Sequence, residues 1–348
     1  MNARKIRIGV AGLGRIGWEF HARTLSKHAD FSLVAVADTD ANRRREAEQS
    51  CGCAAYAAFD DMVADGELEA VVVATPTHLH RDMAVRALRA GLHVLIEKPM
   101  AASHADASAI VRAAADAHRV LTTYQPGRLA ASFQHLLRIV CAGRIGRVCW
   151  AQRGMFNYAR RNDWQSLREF GGGMLNNYGA HGLDQLLQLV GYDVERVFCQ
   201  MQIVASLGDA EDVVKAVFTT AGGAVGQLDI NQASAVRPYE LTVWGTVGAI
   251  VQEGKQFHLR AFDPANLPPK ELDRSLASAR RQYPSDDIPF VEETIAVDAS
   301  CGIDVYANLA GAIRDGAPVA VPPQETLAVV QLMERCRESA GNITRMPG

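Results

Sequence analysis

The stretch Ile6-Arg7-Ile8-Gly9-Val10-Ala11-Gly12-Leu13-Gly14-Arg15-Ile16-Gly17 decides how the first part of the chain folds. Its first six residues form a short apolar run that predicts a buried strand, and glycines follow that run directly. A helical pattern through Trp18, His21 and Leu25 comes next. A strand, a glycine turn and a helix in this order predict an α/β domain with a parallel sheet.

The glycines of this turn have the G-x-G-x-x-G spacing of a dinucleotide-binding site. Gly12 suits the tight turn, Gly14 lets a pyrophosphate approach the backbone, and Gly17 lets the helix pack on the strand. The motif stands between a strand and a helix, which is the context that it needs. The residues of the turn that we predict at the cofactor are Gly12, Leu13, Gly14, Arg15, Ile16 and Gly17.

The second predicted strand, Phe31–Ala37, ends at an acidic residue. Asp38 follows the glycines by about 20 residues, where a carboxylate binds the adenosine ribose hydroxyls of NAD. No arginine stands directly at this strand end, and Arg43, Arg44 and Arg45 lie a helical turn further on. NAD is therefore the predicted cofactor, and NADP is the less favoured alternative.

A later strand of the same array, over residues 71–74, also ends in polar sequence. Thr75 and Pro76 follow it, and His80 stands just inside the next helix. Ligands in open α/β sheets bind outside the carboxyl ends of the strands, so we expect Thr75 and Pro76 at the cofactor. His80 suits a local capping or packing role as well as it suits a cofactor contact.

Residues 93–96 form the next predicted strand, which delivers Glu97, Lys98 and Pro99 at its carboxyl end. Lys98 is thus expected where a nicotinamide ring and its substrate would meet, with Glu97 beside it. A lysine at a strand end is by itself more often a surface residue. The dinucleotide turn upstream and a polar helix face downstream favour the functional interpretation.

The pattern changes after Tyr124, so we place a boundary between a first domain of residues 1–125 and a second of residues 126–348. The first domain is predicted to hold a doubly wound parallel sheet. In the second, strand-like runs separated by glycines predict an α+β domain with an open, mainly antiparallel sheet. Residues 254–290, rich in proline and charge, are expected to form an extended excursion, and the last two helices to pack back on the first domain.

A second glycine-rich stretch, Gly171-Gly172-Gly173-Met174-Leu175-Asn176-Asn177, leads into a helix that reaches Val190. The two asparagines can each cap a helix. At about 100° per residue, Asn177, His181, Asp184 and Gln188 share one face, which contains no Lys, Arg or Glu. A solvated face normally carries such charges, whereas Asn, His and Asp suit hydroxyl binding and proton transfer. We predict Asn177, His181 and Asp184 as catalytic residues together with Lys98.

The loop of residues 158–165 combines Arg161 and Trp164 just ahead of this helix. An aromatic face with polar neighbours often holds a sugar ring, although a tryptophan in a loop also serves as a packing anchor. The candidate substrate contacts are Lys98, Tyr124, Arg161, Trp164, Asn177 and His181.

Composition restricts the remaining function classes. The chain has 348 residues, 48% of them hydrophobic, and a formal net charge of −3, so neither a nucleic-acid partner nor a membrane partner is expected. Its start runs directly into a strand pattern and not into a signal segment, so a cytoplasmic protein is expected. The seven scattered cysteines predict reduced, packed thiols and no metal site.

Three motifs together make the chain similar to a known family. Gly12-x-Gly14-x-x-Gly17, Glu97-Lys98-Pro99 and the glycine triplet with His181 and Asp184 occur in this order. In them the chain resembles, over essentially its whole length, the glucose-fructose oxidoreductase, inositol dehydrogenase and rhizopine-catabolism (Gfo/Idh/MocA) family. The resemblance implies a Rossmann domain followed by an α+β domain, whose sheet commonly forms a dimer interface. A homodimer or homotetramer is therefore expected.

The resemblance also implies roles for individual residues. Lys98 would contact both substrate and nicotinamide, and His181 would transfer the proton. The residue four positions before that histidine is often Asp in the family, and here it is Asn177. Asn cannot accept a proton, but it can orient His181 or a substrate hydroxyl. Asp184 would orient His181 or bind another hydroxyl.

The function that these motifs predict is NAD(P)-dependent oxidoreduction. Hydride would pass between a secondary alcohol of a sugar, cyclitol or sugar derivative and the nicotinamide. Two alternatives stay open: a redox-neutral NAD-dependent glycosidase, and a non-catalytic regulatory protein that senses the dinucleotide. The substrate's identity, the carbon that reacts and the physiological direction are not encoded in these patterns.

Overall fold

The first sheet contains the dinucleotide motif. We describe a computed structural model that covers residues 4–65, 68–272, 274 and 286–347. Six parallel strands have the order β3-β2-β1-β4-β5-β6, which confirms the predicted doubly wound sheet. They are β1 (Ile6–Ala11), β2 (Phe31–Ala37), β3 (Ala54–Tyr56), β4 (Ala70–Val73), β5 (His93–Glu97) and β6 (Leu121–Tyr124).

Helices cover both faces of this sheet. They are α1 (a π-helical segment Gly17–Ala22 continued by Arg23–Leu25), α2 (Ala41–Cys51), α3 (Phe59–Ala64), α4 (His80–Arg89) and α5 (His104–Asp116). Because both faces are covered, a central strand can be apolar throughout, and all four residues of β4 are buried. The strand order reverses between β1 and β4, so a crevice opens at their carboxyl ends, where the glycine turn lies.

The second sheet has nine strands in the order β14-β13-β12-β11-β7-β10-β9-β8-β15. β7 pairs with β10 and β8 with β15 in parallel, and the other neighbours are antiparallel, which confirms a mainly antiparallel sheet. Its strands are β7 (Val148–Phe156), β8 (Val194–Ile203), β9 (Val213–Thr220), β10 (Val225–Asn231), β11 (Leu241–Gly245), β12 (Gly248–Glu253), β13 (Gln256–Ala261), β14 (Val291–Ala296) and β15 (Thr344–Arg345).

The expected extended excursion over residues 254–290 is wrong for its first part. There β13 pairs with both β12 and β14. Phe257 and Leu259 are buried while His258 and Arg260 are exposed, so the charges of this stretch lie on the outer face of a strand. The charged residues of this stretch concealed the alternation of buried and exposed side chains that is typical of a strand. Residues 273 and 275–285 of this prediction lie outside the described residues.

Five helices follow the first sheet in the chain: α6 (Pro126–Leu129), α7 (Ala131–Cys141), α8 (Ala180–Val190, preceded by a π-helical turn Leu175–Gly179), α9 (Val305–Asp315) and α10 (Pro323–Ala340). The apolar stripe of α8, with Leu183 and Leu186 fully buried, packs in one core with Leu228 of β10 and Val243 of β11. The opposite side of α8 is therefore held toward the first sheet.

The end of the chain joins the two sheets. Leu309 of α9 packs in the same core as Ile8 and Val10 of β1. Along α10, Val330 packs with the core around α5, and Met333 packs with the core around α8. These helices fix the first sheet relative to α8, which positions the site. Among the described residues, no helix combines the length and the apolar character that a membrane crossing requires.

Candidate functional site

The glycine turn after β1 contains one glycine that faces open space. At Gly12, φ is +89° and an added Cβ would lie 2.6 Å from the Ala74 carbonyl oxygen. At Gly17, a Cβ would collide with the Gly12 carbonyl. At Gly14, a Cβ would meet no heavy atom within 4 Å. The fold itself requires the outer two glycines, whereas Gly14 leaves a cradle that fits a pyrophosphate.

Asp38 lies next to this cradle. One carboxylate oxygen accepts from the Leu13 backbone N–H at 2.7 Å, and the other accepts from the Asp40 N–H at 2.8 Å. The Arg43 guanidinium lies 3.6 Å from the same carboxylate. Arg43 follows the strand end by a helical turn in the sequence, and the first turn of α2 brings it back to Asp38. Arg15 is exposed on the rim of the turn, and Ile16 is partly buried.

His80 connects the loops that follow β4 and β5. Its buried ring lies 2.8 Å from the Thr75 carbonyl oxygen and 3.0 Å from the Pro99 carbonyl oxygen. Burial lowers the pKa of His80, and the contacts with the two carbonyl oxygens oppose that shift. These contacts assign His80 to holding the two loops together. Thr75 and Pro76 stay predicted cofactor contacts at the end of β4.

Lys98 connects the first sheet to the helix that carries Asn177 and His181. Its Nζ donates to the backbone oxygen of Asn177 at 3.0 Å and to the side-chain Oδ1 of Asn177 at 3.1 Å. Burial lowers the pKa of Lys98, the Arg161 charge lowers it further, and Glu97 opposes both. The amine predicted from the first domain and the helix predicted from the second thus meet in one place.

An open pocket lies beside this contact, and we refer to it as the cavity. It includes the predicted residues Lys98, Trp164 and Asn177. Its walls are Thr77, Lys98, Pro99, Trp164, Gln165, Gly171, Gly172, Gly173, Asn176 and Asn177. Within the described part of the chain, no group of three or more His, Cys, Asp and Glu residues is placed to hold a metal ion.

His181 lies one helical turn beyond Asn177, on the same side of the helix. Its Nδ1 atom is buried and has no hydrogen-bond partner among the described residues. Burial, the Lys98 charge and the Arg153 charge hold the pKa of His181 well below its ordinary value. The imidazole is therefore neutral near pH 7 and can accept a proton.

A residue that the sequence analysis missed, Glu211, holds the start of this helix. Its carboxylate accepts from the Leu175 backbone N–H at 3.0 Å, whereas Met174, the residue before the π-helical turn, supplies no side-chain cap. The capping expected of the two asparagines is wrong: Asn176 instead donates to the Gly171 carbonyl oxygen at 2.8 Å. A Cβ at Gly173 would lie 2.6 Å from the Glu211 carboxyl carbon, so glycine is required there.

Asp184 lies in a buried ion pair. One of its oxygens accepts from Arg128 Nε at 2.9 Å, and the other accepts from Arg128 Nη2. Arg128 also donates to Glu325 of α10. Both carboxylate oxygens are therefore directed at Arg128, and the unpartnered Nδ1 of His181 receives no bond from Asp184. This contact assigns Asp184 to holding α8 against α6 and α10.

The predicted substrate loop reaches the cavity through Gln165. The Gln165 side-chain oxygen accepts from Arg161 and, at 3.3 Å, from the Asn177 amide. Trp164 is 45% exposed and lines the cavity. Tyr124 is not one of the residues that line the cavity. Its ring contacts the His21 ring, with the ring centroids 4.8 Å apart.

A buried chain of polar groups fixes Glu97. One carboxylate oxygen lies 2.9 Å from His21 Nε2, and the other accepts from the Lys98 backbone N–H at 3.1 Å. His21 Nδ1 lies 2.7 Å from the Tyr306 hydroxyl of α9. The sequence showed His21 only as part of a helical pattern, and nothing local links it to Tyr306. Glu97 therefore positions the Lys98 backbone.

Two protein-family models match this chain, one over each of its two sheet-containing parts. The model of an oxidoreductase family with an NAD-binding Rossmann fold matches residues 6–125, and that of the GFO/IDH/MocA C-terminal domain matches residues 133–251. The chain belongs to the GFO/IDH/MocA family. It is therefore an NAD-binding oxidoreductase. Division of the chain at residue 125 stays a prediction.

Relatives of this oxidoreductase include two inositol dehydrogenases. Myo-inositol 2-dehydrogenase of Thermotoga maritima is 29% identical over 255 residues, which are 70% of this chain and 74% of that protein. Inositol 2-dehydrogenase of Rhizobium meliloti is 26% identical over 342 residues, which are 94% of this chain and 95% of that protein.

One similar solved structure contains a cofactor and a nucleotide sugar. The WlbA dehydrogenase from Bordetella pertussis, in complex with NADH and UDP-GlcNAcA, has a TM-score of 0.77 and 26% sequence identity. The match covers 97% of each chain. The likeness therefore extends across both sheets.

Proposed function

We propose that this oxidoreductase oxidises a secondary alcohol of a sugar, cyclitol or sugar derivative, with NAD as the hydride acceptor. The observation that carries the proposal is the contact of Lys98 Nζ with both oxygens of Asn177, one turn from His181. The amine of Lys98 is thereby held, from a distant part of the chain, beside the helix that carries the neutral imidazole of His181, and its charge acts on that imidazole. The relatives that act on inositol, and the neighbour bound to UDP-GlcNAcA, support a polyhydroxylated ring as substrate.

The chain's residues would divide the proton chemistry between them. NAD, when bound in the cradle at Gly14, supplies the acceptor for the hydride that leaves the alcohol carbon. His181 accepts the hydroxyl proton, because its lowered pKa keeps the imidazole neutral. Lys98 donates a hydrogen bond to the developing alkoxide and stabilises its charge. The two Asn177 oxygens orient the amine of Lys98 for this contact.

We propose NAD in preference to NADP. The Asp38 carboxylate can accept from ribose hydroxyls, and it repels a 2′-phosphate. Arg43, at 3.6 Å from Asp38, moderates that repulsion. A cytoplasmic location and a homodimeric or homotetrameric assembly stay predictions from sequence and resemblance.

The test is a screen of sugars, cyclitols, sugar acids and nucleotide sugars with NAD and NADP, followed by nicotinamide absorbance. Lys98→Met and His181→Ala should each lower turnover by about 10²–10⁴-fold, the usual contribution of general acid–base groups. NAD binding, measured by fluorescence titration, should stay within about twofold of that of the unmodified protein, because neither side chain forms the cradle. Lys27→Met, at an exposed lysine, is the matched control.

Three outcomes would contradict the proposal. An equal loss of NAD affinity in both variants would show that these side chains serve the cofactor instead of the substrate. Glycoside cleavage without net reduction of the nicotinamide would favour the redox-neutral alternative. NAD binding without turnover of any substrate in the screen would favour the dinucleotide-sensing alternative.

A further inference from the structure

We propose that the cavity selects a substrate whose ring carries a carboxylate, a sugar acid in preference to a neutral sugar. This inference rests on the proposed function, because it concerns the substrate of the same site. It follows from the way in which cationic and anionic side chains are distributed around Lys98.

Two cationic residues, Lys98 and Arg161, lie at the cavity or next to its wall. Lys98 lines the cavity, and its Nζ bonds to Asn177. The Asn177 amide shares the Gln165 side-chain oxygen with Arg161, so Arg161 adjoins the cavity wall. Arg153, on β7, is paired elsewhere: it donates to the Glu240 backbone oxygen at 2.9 Å and lies 3.8 Å from the Glu240 carboxylate. The two cations thus lie on either side of Asn177.

The acidic residues do not balance them. No ion pair with Lys98 Nζ occurs among the described residues, since Glu97 uses one oxygen at His21 and the other at the Lys98 backbone. Asp163 lies 3.7 Å from Arg161, but its side chain is 48% exposed. Water screens such a pair strongly. The position where an acid would contact Lys98 is occupied by the neutral Asn177.

One donor next to the site lacks a partner. Arg161 uses one guanidinium nitrogen on Gln165 and points another toward Asp163, and its second terminal nitrogen has no bond to any described residue. Gln165 lines the cavity, so a carboxylate on a substrate bound beside Gln165 can accept from Arg161. A hydroxymethyl group offers no charge in return, so it leaves the cations unbalanced.

The experiment compares substrates that differ only in this group. D-glucuronate is paired with D-glucose, and D-galacturonate with D-galactose, in NAD reduction and in the melting temperature of the NAD-loaded protein. Methyl glucuronate ester serves as a probe of similar size without the charge. We expect kcat/KM to be about 10-fold or more higher for the acids, the size of one charge-assisted hydrogen bond. The acids should also raise the melting temperature more than the neutral probes do.

Variants show whether Arg161 carries the preference. Arg161→Gln should reduce the acid-to-neutral ratio to about threefold or less, because the formal charge is lost while a hydrogen-bond donor is kept. Arg160→Gln, at the exposed neighbouring arginine, should leave the ratio unchanged. Equal or better use of the neutral sugars, or a ratio that survives Arg161→Gln, overturns the inference.

Failure of the proposed function would look different. If no sugar of either kind reduces NAD, the proposed function fails, while the melting-temperature comparison still reports on the carboxylate preference. If neutral sugars are oxidised and acids gain nothing in either measurement, the proposed function stands and the carboxylate inference falls.

Discussion

Two glycine-rich turns lead into the two helices that serve the site, and they differ in what fills them. Both helices begin with a π-helical turn, Gly17–Ala22 in one and Leu175–Gly179 in the other, and neither has a side-chain cap from its own first residue. In the first turn, Gly14 faces space empty of protein atoms within 4 Å. In the second, a Cβ at Gly172 would lie 2.6 Å from two carbonyl oxygens, and Gly173 adjoins Glu211.

The difference separates two uses of glycine. In the first turn, the missing side chain leaves room for a ligand, so this turn should control affinity for the dinucleotide. In the second, the missing side chains admit the protein's own carbonyls and carboxylate, so this turn should control where Asn177 and His181 stand. Four predictions can break or sharpen this contrast.

The largest effect is expected at Gly173. Gly173→Ala puts a Cβ 2.6 Å from the Glu211 carboxyl carbon at a φ of +104°, so the start of α8 must shift. We expect kcat to fall by about 100-fold or more and the free energy of unfolding by roughly 2–4 kcal/mol, with NAD affinity unchanged. Turnover, denaturant unfolding and NAD titration measure the three quantities.

Gly222→Ala, in an exposed turn with its nearest non-neighbouring atom 3.9 Å away, is the control for Gly173→Ala. A Gly173→Ala protein with normal turnover would refute the structural role of the second turn.

A smaller effect, and on a different quantity, is expected at Gly14. Gly14→Ala adds a methyl group where no protein atom lies within 4 Å, so the unfolding free energy without cofactor should change by less than about 0.5 kcal/mol. NAD affinity should fall by about 10-fold, because the methyl group takes part of the pyrophosphate's space. Calorimetric titration with NAD tests this, and undiminished affinity would mean that the open space is not the cofactor cradle.

The pH dependence of turnover tests how the second turn presents His181. The lowered pKa of His181 keeps its neutral, proton-accepting form dominant, so kcat/KM for alcohol oxidation should decline only well below pH 6.5. Arg153→Gln removes one of the cations that lower this pKa, so the acid limb should move to higher pH. Arg237→Gln, at an exposed arginine, is the control and should leave the acid limb of the pH profile in place. If the acid limb of Arg153→Gln moved to lower pH, the assignment of His181 as the proton acceptor would be contradicted.

The smallest effect is expected beside the first turn, at Arg43. Its guanidinium is half exposed and lies 3.6 Å from Asp38, so it can contact a 2′-phosphate in a screened environment. Arg43→Ala should weaken NADP binding by about threefold and leave NAD binding unchanged, as expected for a surface charge pair. Arg45→Ala, on the same helix with its bond to Asn42, is the control. If Arg43→Ala also weakened NAD binding, Arg43 would be assigned to a part of the cofactor that NAD and NADP have in common.

Much of the fold could be predicted because its signals are local. The strands Ile6–Ala11 and Phe31–Ala37 have the predicted bounds, since apolar spacing and flanking turn residues define both. β13 was missed because its exposed face carries the charges that suggested a loop. Near the site, local sequence predicted Lys98, Asn177 and His181 as a group, but the arrangement of the side chains around them was beyond its reach.

The sequence by itself determined the strand, glycine turn and helix at the start of the chain, because backbone conformation and apolar period depend on adjacent residues. Only the tertiary structure decided which partners those residues meet. Glu211 reaches Leu175 across 36 positions, and Tyr306 reaches His21 across 285. Such contacts form where two sheets and the terminal helices pack together, and no local pattern specifies which distant side chain arrives there.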